Sequence, residues 1–265
     1  VKRFLVLVIV LSLWVPTSVC AQSAFSDVLP LWPSDESVSA ALGGVEVDLG
    51  MYLWTTALEG TVGVRGRTAT VDVGFDEMLK MLKMGFFGFC QVRKDNFALV
   101  SDILYSKLSD DSMPNPLLRI DTTTTLTTGD LVFSYRVANR PESIEFFAGA
   151  RYMSMTADLD ISSPMPLPLL NRQLGGKQGW FDPVVGTRLR LDLSPKVALT
   201  LRGDIGGFGV SSELLWQAIV TFDYRMRDNM SMRIGYRILD YDYTNDGFTF
   251  DAALSGLGLA LGITF

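Results

Sequence analysis

Residues 255–265, Ser255-Gly-Leu-Gly-Leu-Ala-Leu-Gly-Ile-Thr-Phe265, alternate without a fault: Leu257, Leu259, Leu261, Ile263 and Phe265 hold one parity, and Gly256, Gly258, Ala260, Gly262 and Thr264 the other. Successive side chains of a strand point to opposite faces, so this segment is a ribbon with one greasy face and one nearly bare face. Such a ribbon left unpaired would be a sticky edge, and the rest of the chain has to supply its partner.

The same period recurs upstream. Met230, Met232, Ile234, Tyr236 and Ile238 alternate with Ser231, Arg233, Gly235 and Arg237, and Leu214 to Met226 repeats the pattern across the turn-forming Arg227-Asp-Asn229. A second hairpin joins Val185–Leu193 to Val197–Ile205 across Ser194-Pro-Lys196, and a third joins Phe86–Arg93 to Phe97–Leu108 across Lys94-Asp-Asn96. Segments 118–138 and 144–160 flank residues 139–143, and an opening strand over 49–65 sets Leu58, Val62 and Val64 against Glu59, Thr61 and Arg65. These segments make ten strands, with eight or twelve as the neighbouring even counts. Short turns alternate with connections that are mostly longer, at 66–85, 109–117, 161–179, 207–211 and 243–247.

An even strand count with the tightest turns at one end fits a closed antiparallel transmembrane β-barrel, whose closure pairs the last strand with the first. A water-soluble barrel would alternate equally well but would hide its apolar parity inside. Here the polar parity carries Arg93, Asp102, Asp130, Arg136, Glu145, Arg151, Arg188, Arg190, Asp192, Arg202, Asp204, Asp223, Arg225, Arg233 and Arg237, too many ions to bury in a small barrel unless they pair. With Arg65 and Glu59 the list reaches ten arginines and seven acids, which predicts a lumen filled with charge. The apolar parity holds Phe133, Tyr135, Tyr152, Trp216, Phe222, Tyr224 and Tyr236, the residue types of an interfacial girdle.

Residues 1–21 read as a secretory signal peptide: Val1-Lys2-Arg3 is basic, Phe4 to Val15 is apolar apart from Ser12, and Val19-Cys20-Ala21 offers a small-residue cleavage site. Its loss would leave Cys90 alone, so no disulfide framework is expected. Residues 22–48 are expected to be a periplasmic segment, and residues 49–265 the barrel. The net charge of −6, which becomes more negative without Lys2 and Arg3, argues against a nucleic-acid partner.

The signal peptide, the strand and turn rhythm and the terminal aromatic on an alternating strand together resemble the bacterial outer-membrane β-barrel proteins. Tyr52-Leu-Trp54, Leu58-Glu-Gly-Thr-Val-Gly-Val-Arg-Gly66 and Trp180-Phe-Asp-Pro-Val-Val-Gly186 look like segments of uncharacterised members with such a domain. The resemblance implies location in the outer membrane, contact with its lipids and lipopolysaccharide, and recognition of Phe265 by the barrel-assembly machinery. It fixes architecture and leaves activity open.

Chemistry is scarce. The chain has no histidine, on which outer-membrane barrel phospholipases, lipid A deacylases and omptin-type proteases rely as base or orienter. No catalytic residue, cofactor or metal site is assigned. Asp240, Asp242, Thr244 and Asp251 approach a calcium-loop count but place Asn245 where glycine belongs, and they equally suit a solvated hairpin. One helical segment, Phe75 to Met84, puts Phe75, Met78, Leu79 and Leu82 on one face, either inside the barrel mouth or against its rim. Pro164-Met-Pro-Leu-Pro-Leu-Leu170 is a stiff apolar outer loop. Two functions remain: a closed barrel with a structural, envelope-stabilising or surface-binding role, or a narrow passive channel, which would add a small solute as partner.

Overall fold

A computed structural model describes residues 44–64, 66–115, 118–138, 142–162 and 172–265. The signal peptide, most of the segment that follows it, Arg65 and the proline-rich loop lie outside the described residues. The elements are β1 (Val45–Trp54), β2 (Ala57–Val64), β3 (Arg67–Val73), the helix α1 (Phe75–Met81), β4 (Leu82–Lys94), β5 (Phe97–Asn115), β6 (Leu118–Ala138), β7 (Glu142–Ser162), β8 (Arg172–Asp192), β9 (Val197–Gly207), β10 (Leu214–Arg227), β11 (Met230–Asn245) and β12 (Phe248–Thr264).

From β4 to β12 each strand pairs antiparallel with the next, and β1 lies between β4 and β12, so the sheet closes on itself. The closing ladder runs from Asp48 opposite Thr264 to Trp54 opposite Gly258. Phe265 extends it, donating its N–H to the Val47 carbonyl at 2.8 Å and accepting from the Val47 N–H at 3.1 Å. Further along β12, β2 takes over, with Ala57 opposite Ser255 and Gly63 opposite Thr249. Strands β1 and β2 are therefore two halves of one stave, broken at Thr55-Thr56, and the barrel has ten staves.

The break explains much of the bare parity of the opening quotation. Thr55 clamps Leu257 with its backbone N–H to the Leu257 carbonyl at 2.7 Å and its hydroxyl as acceptor from the Leu257 N–H at 3.1 Å. This brings the Thr55 carbonyl to 1.4 Å from where a Gly256 Cβ would stand, which only glycine permits. At Gly262 a Cβ would come within 3.2 Å of an Asp48 carboxylate oxygen and 3.4 Å of the Arg233 guanidinium. The small residues of β12 line the inside of the wall and leave room for large side chains from its neighbours.

Several boundaries differ from the sequence reading. The first strand starts at Val45, and in β2 Leu58 and Val62 are the buried residues while Glu59 is exposed, so Glu59 is not a lumen charge. The helix ends at Met81 and hands Leu82 to β4; Met78 is its buried residue, and Phe75 and Leu79 stay partly exposed. Strand β3 pairs with β2 alone, and β4 begins only opposite Leu108, so the wall above that level is made up by β3 and by α1, which contacts β5. Two expected outer loops are largely strand: β5 to β8 are 19–21 residues long. The expected connection at 243–247 is a two-residue turn, Asp246-Gly247, with φ of 47° and 77°, so the acids around it sit on a tight hairpin.

A strand needs roughly 9–11 tilted residues to cross a membrane. Strands β6 to β8, at 21 residues each, therefore project far beyond it as a tower on the side away from Val45 and Phe265.

Candidate functional site

The side-chain pattern inverts between the two halves of the barrel. In the half near Val45 and Phe265, ions face in and apolar residues face out. Leu131, Phe133, Phe146, Phe222, Ile234, Leu257 and Leu261 are each more than half exposed on the outside. In the tower half the apolar side chains face in. Along β11 the inward parity changes from Arg233 and Arg237 to the buried Leu239, Tyr241 and Tyr243, while the outward parity changes from Ile234 and Tyr236 to Asp240, Asp242 and Thr244. In β5 the inward Asp102 gives way to Leu104 and Leu108, and in β7 Arg151 gives way to Met153 and Met155. Wherever the outer surface meets lipid, apolar side chains point outward; above the lipid the outside is water, and the apolar side chains turn inward as in a soluble barrel. Charged side chains thus face the lumen in one half, and apolar side chains face it in the other.

The tower half encloses a buried apolar cluster. Trp180 stacks on Tyr243 at 3.9 Å between centroids and meets Tyr241 edge-on at 6.2 Å. Leu58, Met78, Leu104, Leu108, Leu126, Met153, Phe250 and Leu254 belong to the same buried cluster, each at 1% exposure or less.

Below this plug the ions are arranged in groups. Deepest, Arg151 makes a two-pronged bond to Asp130, at 2.7 and 2.8 Å, and reaches Asp204 at 3.0 Å; Arg202 bridges the same two acids at 3.1 and 3.3 Å. Arg151 and Asp204 have no exposed side-chain surface. Gln217 donates to Asp204 at 2.9 Å. Beside them Tyr52 donates its hydroxyl to Asp102 at 2.8 Å, and Arg237 approaches Asp102 at 3.5 Å with its guanidinium over the Trp54 ring at 4.8 Å. Arg233 pairs with Asp48 at 2.6 Å over Phe89. Glu145 gathers Arg93 at 2.7 Å, Arg136 at 3.1 Å and Arg188 on one carboxylate. Near the rim Asp223 accepts from Arg190 at 2.6 Å and from Thr200 at 2.8 Å, and Arg190 also meets Asp192 at 3.2 Å.

Fourteen of the fifteen charged positions read from the sequence fall into these ion-paired groups; Arg225 does not, being exposed at the rim with no ion pair among the described residues. Sequence reasoning placed Asp48 outside the barrel although it shares the parity of Tyr52 and Trp54; it put Gln91 and Gln217 on the polar parity without making them ion partners, and it gave Tyr52 no part in the lumen. The groups surround a cavity of about 1350 Å3 that opens at the end of the short turns, where Ser194, Pro195, Asp228 and Asn229 line its mouth. Among the described residues no group of three or more His, Cys, Asp or Glu is arranged to hold a metal ion.

No protein-family model matches the chain, and no curated protein matches it either. Solved structures do. The outer membrane protease OmpT of Escherichia coli superposes with a TM-score of 0.53 at 13% identity, over 83% of this chain and 96% of that one. The fold is that of a bacterial outer-membrane β-barrel. The translocator domain of the autotransporter NalP from Neisseria meningitidis (TM-score 0.48, 12% identity, 92% of this chain and 98% of that one) and Neisserial surface protein A (0.34, 14%, 84% and 97%) are also similar. A barrel of this fold with an apolar outer belt belongs in the outer membrane, and barrels of this kind carry their short turns on the periplasmic side.

Proposed function

We propose that this outer-membrane barrel is closed and non-catalytic, with a structural, envelope-stabilising or surface-binding role. The observation that carries the reading is the plug: aromatic and aliphatic side chains with almost no exposed surface fill the lumen from Leu58 and Met78 across to Trp180 and Phe250. Protein interiors contain few voids larger than a water molecule, and among the described residues side chains this deeply buried oppose a continuous water path through the tower half. Passive permeation would require this core to part, which a porin-like channel for a small solute does not need. Catalysis is not part of the reading. The chain has no histidine to act as base, and likeness of fold to a protease at 13% identity does not transfer proteolysis.

The long β5–β8 tower supplies the surface that a binding role would use, and the belt supplies contact with outer-membrane lipid and lipopolysaccharide. Phe265, at the closing ladder, is the residue we assign to recognition by the barrel-assembly machinery. Conductance tests the reading: purified refolded protein in a planar bilayer is expected to show no steady openings, and large ohmic openings would replace the closed barrel by the channel.

A further inference from the structure

The charge groups of the lumen are not equally balanced. Arg151 and Arg202 face Asp130 and Asp204, Arg233 faces Asp48, and Arg237 faces Asp102, each group neutral. The Glu145 group is different: Arg93, Arg136 and Arg188 share a single carboxylate, leaving two positive charges uncompensated. Ser134 also donates to that carboxylate, at 3.4 Å, and Gln91 accepts from Arg188 at 2.8 Å, so the neutral neighbours hold the group in place without adding countercharge. Glu46 stands opposite Arg93 in the ladder but is exposed and makes no ion pair with it. The one opposite imbalance, Arg190 between Asp192 and Asp223, is a single negative charge at the rim, which reduces the excess without cancelling it.

Arg93 lies behind the cavity wall and is only 3% exposed, and its Nε and Nη1 have no hydrogen-bond partner, so its charge backs the cluster without being neutralised by further acceptors. Buried donors without partners are costly, and buried guanidinium donors more so. Arg136 and Arg188 present part of their surface to the periplasmic cavity, at 28% and 27% exposure, and the cavity wall among the described residues carries nine cations against seven acids.

We propose that the Glu145 cluster binds a phosphate group entering from the periplasmic side. Guanidinium forks match phosphate oxygens in pairs, and a phosphate monoester carries close to two negative charges at neutral pH, the charge this cluster lacks. The cavity, at about 1350 Å3, is wide enough to admit either inorganic phosphate or the monoester headgroup of a phosphatidic acid. The site is separate from the plug and stands whether or not the barrel conducts.

The test is calorimetric titration of the full refolded barrel in a maltoside detergent, which has no phosphate of its own, with two probes: inorganic phosphate and dihexanoyl phosphatidic acid. Saturable one-to-one binding of either supports the site, phosphate alone pointing to a free solute and the lipid alone to a headgroup. The Arg136→Gln/Arg188→Gln variant, which leaves Arg93 and Glu145 as a neutral pair, is expected to bind at least about tenfold more weakly, and Arg119→Gln on the tower to bind as the parent does. Retained gel mobility of the unheated variant shows that it has folded. No binding of either probe, or undiminished binding by the folded double variant, overturns the proposal.

Discussion

Removing Arg151 should cost the barrel more stability than removing any other lumen charge. Its side chain has no exposed surface, and it holds Asp130 through two hydrogen bonds at 2.7 and 2.8 Å and Asp204 through an ion pair at 3.0 Å. In Arg151→Ala both carboxylates remain buried with Arg202 as their one remaining guanidinium partner, at 3.1 and 3.3 Å. Breaking a buried pair by removing one member costs about 3–5 kcal/mol, because the abandoned charge pays for desolvation without return. Water from the periplasmic cavity can reach Arg202, which is 15% exposed, so the lower part of that range, about 3 kcal/mol, is the expected loss. Equilibrium urea unfolding in phospholipid vesicles, followed by tryptophan fluorescence, measures it. Adding Asp130→Asn should recover part of the loss, since it removes one of the stranded charges, and the double-mutant cycle should show coupling well above about 1 kcal/mol. A loss below about 1 kcal/mol, or additive effects of the two changes, would refute the claim that these ions form one buried network.

Other perturbations bear on separate parts of the structure. Gly256→Ala places a methyl group on the Thr55 carbonyl, so the assembled fraction, read as the heat-modifiable band on gels, should fall sharply, while Gly258→Ala, where the nearest atom lies at 3.6 Å, should assemble nearly normally. Truncating Phe265 to alanine should lower the assembled amount in cells more than Leu199→Ala does; equal effects would remove its special role in assembly. Alanine at Arg188, Arg202 and Asp204 together should loosen the periplasmic half without making the barrel conduct, because the plug lies in series with the ions. Conduction by that triple variant would show that the ions alone keep the lumen shut.

The membrane-facing half was legible because its physics leaves a strong mark: two-residue alternation of large apolar and charged side chains, with turn formers at regular intervals. The parity of Arg188, Arg190, Arg202 and Asp204 could be read directly, and so could the partner of the last strand. The tower was not legible. Thr122 to Thr125 carry no apolar alternation, because strands above the lipid meet water outside and need only a few inward residues such as Leu126 to build a core. Along β11 the switch from Arg237 to Leu239 on one parity coincides with a switch from Ile238 to Asp240 on the other, and an analysis that fixes one parity as inside and polar cannot see both. Which carboxylate serves which arginine was partly hidden: Arg188 stands directly opposite Glu145 in the β7–β8 ladder, whereas Arg93 comes from β4 and reaches Glu145 from a strand that is not its neighbour.

Polarity inverts along the single strand β11, and spin-label accessibility along it tests that inversion most directly. Single cysteines from residue 233 to residue 244, in a Cys90→Ser background reconstituted in vesicles, would be probed with oxygen, which concentrates in lipid, and with a water-soluble nickel complex. Labels at Ile234 and Tyr236 should favour oxygen, labels at Asp242 and Thr244 should favour the nickel complex, and labels at Leu239, Tyr241 and Tyr243 should be reached by neither. Access of the nickel complex to Tyr241 and Tyr243, or a lipid signature continuing through Asp242, would contradict the closed, inverted tower.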